Sequence, residues 1–155
     1  MSKLIISPPP HLHGGNSVAK IMYRVLMSLL PAYLVALYYF GLGAFIVSLV
    51  SVLSCVFFEH IIQVFIFRKP SSIKDGSAIL TGILLSFNLP SNIPLYLVVL
   101  GAFIAIAIAK MSFGGLGNNP FNPALVARGF LLISFPVPMT TLPLPELANL
   151  DISTL

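Results

Sequence analysis

The sequence predicts an all-α integral membrane protein with five transmembrane helices, of which the third and fifth are short. Its N-terminus is expected in the cytoplasm and its C-terminus outside. The composition supports this class, because the 155 residues are 57% hydrophobic and only 8% charged, whereas soluble domains have about 25% charged residues. The pattern supports it too, since five apolar runs follow one another and the basic residues collect at alternate ends of them.

The first two apolar runs are long enough to cross a bilayer, which takes about 20 residues of helix. They cover residues 21–40 and 44–67, and only Gly41, Leu42 and Gly43 separate them. We expect the two runs to form a helical hairpin.

The third and fifth runs, residues 77–89 and 123–135, are too short to cross the hydrocarbon core as straight helices. The fourth run, 95–110, is uncharged until its last residue and predicts another span. Short helices at membrane depth require protein or a water-filled cavity around their backbone. Because five is an odd number of spans, a following copy of this unit would be inverted, as in many transporter folds.

The distribution of basic residues predicts the orientation, because Lys and Arg collect on the cytoplasmic side. The opposite side carries Glu146 and Asp151 but no basic residue. This pattern divides the chain into a cytoplasmic segment (1–20), a membrane domain (21–135) and an external tail (136–155). The basic residues on the cytoplasmic side are Lys3, Lys20, Arg24, Arg68, Lys69, Lys74 and Lys110.

Several function classes are disfavoured. The net charge of +4 needs no polyanion to explain it, because the basic residues flank membrane segments, so we expect no nucleic-acid partner. The single cysteine, Cys55, excludes a disulfide framework or a cysteine-ligated cluster built from this chain alone. His11 and His13 lack two further nearby ligands for zinc, and we expect no metal site.

Three ionisable residues lie well inside the apolar runs, away from their ends. Glu59 and His60 lie about eight residues before Arg68, which places them about 12 Å from the cytoplasmic end of the second run at 1.5 Å per residue. They are candidates for an ion or proton path or a cofactor contact, and the alternative is a structural pair with Arg128. Arg128 either binds a carboxylate or phosphate through its fork of donors or extends to the cytoplasmic interface.

Two loops are candidate binding elements. Asp75 is placed as the N-cap of the third helix, or else as a contact to a cofactor or cation. The stretch GGLGNNPFNPALVARG either starts the fifth helix or faces a ligand. Its glycines permit positive φ, its asparagines bond to turn backbone, and Pro123 suits a first helical position. The binding candidates in this stretch are Gly114, Gly115, Gly117, Asn119 and Asn122.

Three blocks of sequence carry a family resemblance. They are SPPPHLHGGNSVAKIM, FRKPSSIKDGSAILTGILLSFNLP and KMSFGGLGNNPFNPALVARGFLLISFPVPMT. In this order they resemble the NqrB/RnfD family of membrane subunits of ion-translocating oxidoreductases, the RnfD members more than the NqrB members. The third block is the most specific.

The resemblance implies a subunit of a multi-subunit Rnf- or Nqr-type complex in a prokaryotic cell (inner) membrane. Such complexes couple electron transfer, between ferredoxin and NAD in Rnf, to movement of Na+ or H+. The implied fold is one half of a urea-transporter-like inverted repeat, because the family is about twice this length and the chain resembles its N-terminal half. Beyond the other subunits, the lipid bilayer is the expected partner.

The resemblance also implies flavin. The family attaches FMN to a threonine in a Ser-Gly-Ala-Thr motif, which this sequence lacks. DGSAILTG has a different order, so the attachment is not transferred to Thr81 and is expected beyond Leu155. Some relatives hold riboflavin noncovalently, and here Asn119 and Asn122 are the favoured contacts. The rival interpretations are half of a passive channel or solute transporter without redox chemistry, and a structural scaffold subunit.

Overall fold

The computed structural model describes residues 18–68, 75–115 and 119–143, and these are helical with connecting turns and no strand. Two π-helical segments, Ile62–Ile66 and Ile104–Met111, continue α1 and α3. The predicted all-helical class is confirmed. The α-helices are α1 (Val18–Ile61), α2 (Ser77–Ser86), α3 (Leu95–Phe103), α4 (Pro123–Ser134) and α5 (Pro136–Thr140).

Helix α1 folds back on itself at Gly41, whose φ of 59° and ψ of −142° lie outside the helical range. The Tyr33 and Ser48 hydroxyls lie 2.6 Å apart, whereas in a straight helix their Cα atoms would be roughly 22 Å apart. The predicted hairpin is therefore present. Glycine at the turn tolerates the left-handed φ that other residues avoid.

Helix length bears directly on the predicted membrane crossings. Among the described residues, one helical stretch, Val18–Ile66, is long and apolar enough for a crossing, and the fold-back at Gly41 divides it into two arms. The other apolar helices have 10–17 residues: Ser77–Ser86, Leu95–Met111 and Pro123–Ser134. The five crossings remain a prediction.

The second arm of α1 packs closely against α2. A Cβ on Gly82 would lie 2.6 Å from the Val52 Cα, so only glycine permits this contact. The Ser51 hydroxyl donates to the Gly82 carbonyl at 2.8 Å. Near the hairpin turn, a Cβ on Gly43 would lie 2.8 Å from the Ser91 carbonyl oxygen. These contacts run in opposite chain directions, which makes the pair antiparallel.

The core lies between the second arm of α1 and helices α2, α3 and α4. At its centre the Leu131 side chain packs directly against Gly101. A Cβ added to Gly101 would lie 2.8 Å from a Leu131 methyl. In a bilayer, where lipid is as apolar as these side chains, close van der Waals packing and interhelical hydrogen bonds hold the short helices together. Fully buried members of the core include Cys55, Leu85, Leu97, Ala105, Ala127 and Leu131.

Three details differ from the sequence expectations. The third helix ends at Ser86, before the predicted residue 89. Its N-cap is Gly76, with φ of 71° and no side-chain cap, so the assignment of Asp75 as N-cap is wrong. The predicted tail begins with a short helix, α5, and its Met139 is buried against the core. Two prolines start α5 because their fixed φ suits the first helical turn.

Candidate functional site

A buried ion pair joins α1 to the end of the α3 helix. The Lys110 ammonium lies 2.5 Å from Glu59 Oε2, and their side chains are 2% and 1% exposed. Lys110 also donates to the Ser77 hydroxyl at 2.8 Å, and Gln63 donates to Glu59 Oε1 at 3.2 Å. Both carboxylate oxygens are therefore hydrogen-bonded, as a charge at this depth requires.

Sequence reasoning missed the role of Lys110. We counted it as a basic residue at the cytoplasmic flank, but the structure buries it. The alternative partner proposed for Glu59, Arg128, is also wrong, because Glu59 pairs with Lys110. The sequence did contain a signal for this pair. One apolar run carries an acidic residue and another carries a basic residue, and buried charges normally pair.

Glu59 and His60 are adjacent in sequence but lie on different faces of α1. Val47, Ser51, Cys55 and Glu59 recur every four residues and are buried. His60 is exposed, beside a shallow groove on the outer surface. The structure therefore retains Glu59 in the buried cluster and separates His60 from it.

Two π-helical segments border the ion pair. Ile62–Ile66 begins three residues after Glu59, and Ile104–Met111 contains Lys110. π-helical turns are rare and often occur at functional sites, because each one shifts the side chains that follow it around the helix axis. Here the second segment contains Lys110 itself.

A cavity of about 360 Å³ lies beside the ion pair. It is bordered by the first residues of α2 and α4 and by the end of Ile104–Met111. The N-termini of two helices place positive dipole ends at this cavity, and the charge of Lys110 beside it is balanced by Glu59. Its lining residues are Met22, Ser77, Leu80, Thr81, Leu84, Lys110, Asn119, Pro120, Phe121, Asn122 and Pro123.

Two predicted binding residues, Asn119 and Asn122, line this cavity. The Asn122 Oδ1 accepts from the Ala124 amide at 3.0 Å, which makes Asn122 the N-cap of α4 with Pro123 at the first helical position. The Asn119 amide group, in the orientation that satisfies its neighbours, donates to the Lys110 and Gly115 carbonyls at 2.9 and 3.1 Å. Within the described part of the chain, no hydrogen bond uses the side-chain NH2 group of Asn122 or the side-chain oxygen of Asn119. Both groups can therefore bond to a ligand.

The glycines of the motif end the helix that carries Lys110. Gly114 and Gly115 have φ of 97° and 92°, in the left-handed region. Their amides donate to the Met111 and Lys110 carbonyls, each at 3.1 Å. A Cβ on Gly115 would have no neighbour within 4 Å, so its backbone conformation and not a close approach requires glycine. Gly117 lies outside the described residues, as do His11 and His13.

Four other predicted binding residues, Gly114, Gly115, Asp75 and Arg128, do not line the cavity. Asp75 is half-buried just before Gly76 and lies outside the lining. Arg128 is exposed on α4, where it donates to Asn88 Oδ1 at 2.9 Å. The Asn88 amide group in turn donates to the Leu84 carbonyl at 2.7 Å, which holds its oxygen toward Arg128.

The residues around this cavity fall within a long match to a known protein family. Residues 5–154 match the family described as NQR2, RnfD, RnfE family. The chain belongs to this family. The resemblance inferred from the three sequence blocks is confirmed.

Relatives in the family are named as subunits of ion-translocating complexes. The chain is 49% identical to the D subunit of the Na(+)-translocating ferredoxin:NAD(+) oxidoreductase complex of Acetobacterium woodii, covering 89% of this chain. It is 48% identical to the D subunit of the proton-translocating ferredoxin:NAD(+) oxidoreductase complex of Clostridium ljungdahlii, covering 88%. It is 42% identical to the D subunit of the ion-translocating oxidoreductase complex of Actinobacillus pleuropneumoniae, covering 90%. The chain spans 43%, 41% and 40% of these relatives.

Proposed function

We propose that this chain forms part of a membrane subunit that couples ferredoxin:NAD electron transfer to translocation of Na+ or H+. Family membership supports this proposal, as do the names of the relatives. Two relatives of nearly equal identity are named for different ions, one for Na+ and one for protons. Overall similarity therefore does not select the ion. The other subunits of such a complex are the proposed partners.

The observation that carries the proposal is the cavity in which Asn119 and Asn122 meet Lys110 and Ser77. We propose that it holds a noncovalent flavin such as riboflavin. Its volume of about 360 Å³ falls in the range of cavities that hold cofactor-sized ligands. Phe121, which is 69% exposed, and the prolines offer apolar surface to a flat ring at the open side of the cavity. The two asparagines offer one hydrogen-bond donor group and one acceptor.

The groups that surround the cavity also suit the charge of a redox cofactor. The N-termini of two helices favour negative charge in the cavity. A bound flavin supplies one- and two-electron chemistry that the side chains of this chain lack. The residues of the chain would bind and orient the ring.

The cavity does not support covalent attachment of FMN at Thr81. The Thr81 hydroxyl donates to the Ser77 carbonyl at 2.9 Å, and the residue is 8% exposed. A phosphoester at this oxygen would break the hydrogen bond and needs space for a phosphate. We therefore propose that covalent FMN attaches in the part of the family protein that this chain does not span.

For the membrane topology we propose five segments, with the N-terminus in the cytoplasm and α2 and α4 as half-helices. At 1.5 Å per residue, 10 and 12 residues extend over only about 15 and 18 Å, about half of a hydrocarbon core of roughly 30 Å. Half-helices whose N-termini meet at a cavity are typical of transporter folds with inverted repeats. The remaining part of the family protein would supply the second repeat.

The flavin proposal is tested by the substitution Asn122→Ser in the complete complex. Serine retains a cap acceptor for the Ala124 amide but removes the amide donor from the cavity. We expect the noncovalent flavin, extracted by acid and quantified by chromatography, to fall severalfold per complex, while protein-bound FMN is unchanged. The matched control is Asn92→Ser, an exposed loop position. Full noncovalent flavin in Asn122→Ser, or none in the wild type, would overturn this assignment.

A further inference from the structure

Arg128 lies on α4, outside the cavity proposed for flavin, and its side chain bonds to Asn88. We propose that Arg128 forms an ion pair, at membrane depth, with an Asp or Glu side chain in the part of the family protein that this chain does not span. Asn88 is the residue that positions the guanidinium for this pair. The inference rests on the proposed membrane topology and is independent of the proposed flavin.

Helices α2 and α4 run side by side in the same direction. The first turns of both helices line one cavity. Further along, Leu85 of α2 and Leu131 of α4 approach the same glycine. A Cβ on Gly101 would lie 3.7 Å from a Leu85 methyl and 2.8 Å from a Leu131 methyl. Leu85 and Leu131 are therefore at the same level along the pair of helices.

The guanidinium of Arg128 points toward the C-terminal end of α4. It donates from Nη1 to Asn88 Oδ1 at 2.9 Å. Arg128 precedes the level of Leu131 by three residues, about 4.5 Å at 1.5 Å per residue. Asn88, in contrast, comes three residues after Leu85. Side chains of a helix normally tilt toward its N-terminus, so the hydrogen bond to Asn88 determines the direction of Arg128.

This direction takes the charge away from the cytoplasmic surface. In the proposed topology α4 starts on the cytoplasmic side, and Leu131 comes eight residues after Pro123, about 12 Å along the helix. A hydrocarbon core is roughly 30 Å thick, so in this topology the guanidinium lies near the middle of the core. Long basic side chains often extend to the interface instead, but that would require Arg128 to point the opposite way.

The exposed residues next to Arg128 on α4 are apolar. Leu125 and Leu132, one turn before and one turn after it on the same side, are exposed like Arg128 itself. Lipid tails can cover the leucines but cannot pair with a guanidinium. Charged residues at membrane depth almost always face protein or a water-filled cavity and pair with one another. The surface around Arg128 is therefore a contact surface for protein.

The guanidinium retains the donors that a carboxylate needs. It has five N–H groups, and within the described part of the chain Nη1 makes its hydrogen bond to Asn88 while Nε and Nη2 make none. These two nitrogens suffice for a bidentate pair with one carboxylate, a geometry that arginine favours. The Asn88 amide group donates to the Leu84 carbonyl at 2.7 Å, which fixes Asn88 and so the orientation of the guanidinium.

Among its described residues, this chain offers no carboxylate to Arg128. The Glu59 carboxylate is buried between α1 and the end of the α3 helix. Asp75 precedes α2, at the end opposite to Asn88. The other two acidic residues belong to the predicted external tail, outside the described residues. The chain spans 43%, 41% and 40% of three relatives, so more than half of the family protein is a source of further carboxylates. The partner of Arg128 belongs to that part.

The test is a set of double-mutant cycles in the complete complex. Arg128→Gln should reduce severalfold the fraction of complex that stays intact after a fixed heat step, measured by size-exclusion chromatography. Each Asp and Glu within the apolar segments of the remaining part is changed singly to its amide. For one of them the effect should be non-additive with Arg128→Gln, because either substitution removes the same pair. Arg24→Gln, an exposed arginine near the start of α1, is the matched control and should leave this fraction unchanged.

A second measurement does not depend on the stability of Arg128→Gln. Benzoylphenylalanine in place of Leu132, with Arg128 intact, should form a photo-crosslink within the same polypeptide, to a segment that contains Asp or Glu. A crosslink to lipid or to another subunit would overturn the inference, as would additive effects for every carboxylate in the cycles. Glu146→Gln and Asp151→Asn test the tail, and coupling of Arg128 to one of these residues alone would also overturn the inference.

Two further arms separate the ion pair from its alternatives. The effect of Arg128→Gln should be the same in nanodiscs of phosphatidylcholine with and without phosphatidylglycerol. An effect seen only with phosphatidylglycerol would overturn the inference and assign Arg128 to a lipid phosphate. Cysteine labelling from outside the cell tests the topology independently. A reversed labelling pattern would overturn the proposed topology, whereas the expected pattern with additive cycles would overturn only the ion pair.

Discussion

Lys110 and Glu59 are 51 positions apart in the sequence, yet their side chains form a salt bridge of 2.5 Å that is almost completely buried. Ser77 joins them from the start of α2, so three helices meet at one ammonium. This cluster connects α1, α2 and the end of the α3 helix beside a cavity lined by asparagines.

Substituting one partner of the ion pair should lower the free energy of unfolding, whereas substituting both partners together should lower it much less. Lys110→Met removes the ammonium that pairs with the buried Glu59 carboxylate and should lower the free energy of unfolding by about 3–5 kcal/mol. The double variant Glu59→Met/Lys110→Met should recover most of that loss, because both charges leave together. Reversible unfolding in a detergent titration measures the cycle. Equal losses in the single and double variants would contradict the pairing.

The two ionisable neighbours on α1 should behave differently. Glu59→Gln should impair ion uptake per electron transferred, because the carboxylate lies in the buried cluster. His60→Gln is the matched control and should leave this ratio unchanged, since His60 faces outward. Ion uptake in proteoliposomes is the measurement. Full coupling in Glu59→Gln would leave this residue only a structural role.

Close packing of α1 on α2 predicts opposite effects for two glycine substitutions. Gly82→Ala places a Cβ 2.6 Å from the Val52 Cα, so the helices must separate, and overpacking of this kind costs about 1–3 kcal/mol. Gly129→Ala, in α4 with no neighbour within 4 Å, should gain about 0.5–1 kcal/mol from helix propensity. Thermal unfolding of the two variants checks the signs. A stabilised Gly82→Ala protein would refute the close contact.

The fold-back of α1 predicts an energetic coupling between Tyr33 and Ser48. Their hydroxyls lie 2.6 Å apart, and hydrogen bonds between membrane helices contribute about 0.6 kcal/mol on average. Tyr33→Phe and Ser48→Ala should therefore be non-additive by about that amount in a double-mutant cycle. Tyr39→Phe serves as the control for loss of a tyrosine hydroxyl. Additive effects of Tyr33→Phe and Ser48→Ala would argue against the hairpin.

The proposed orientation predicts which positions are labelled from outside the cell. In a Cys55→Ala background, single cysteines at Asn92 and Thr141 should react with an impermeant maleimide applied to intact cells. A cysteine at His13 should react only after the membrane is opened. All three positions are compared after permeabilisation, which controls for intrinsic reactivity. The reverse pattern of labelling would overturn the topology.

Local sequence patterns predicted several elements well. Asn122 and Pro123 marked the start of α4 because one side-chain oxygen and one fixed φ act within a single turn. The helix that begins at Leu95 was expected from an uninterrupted apolar run. The hairpin at Gly41 followed from two long runs joined by a short glycine turn. Each of these features depends on residues that are neighbours in sequence.

Other features depended on contacts between distant residues. Asp75 was assigned as a cap because its residue type suits one, but Gly76 takes that position in a left-handed conformation. Lys110 looked like a flanking cation because it follows an apolar run, and only the packing of α1 against it revealed its partner. The π-helical geometry of Ile104–Met111 had no local signal that we recognised.

By itself, the sequence determined the helical membrane class, the family and the turn that carries Asn119 and Asn122. Hydrophobicity and turn chemistry are properties of short segments, so they are legible without a structure. Only the tertiary structure decided that Lys110 pairs with Glu59, that His60 and Arg128 lie elsewhere, and that the asparagines and Lys110 share one cavity. The reason is physical, since the partner of a buried charge is selected by which helices pack together and not by its neighbours along the chain.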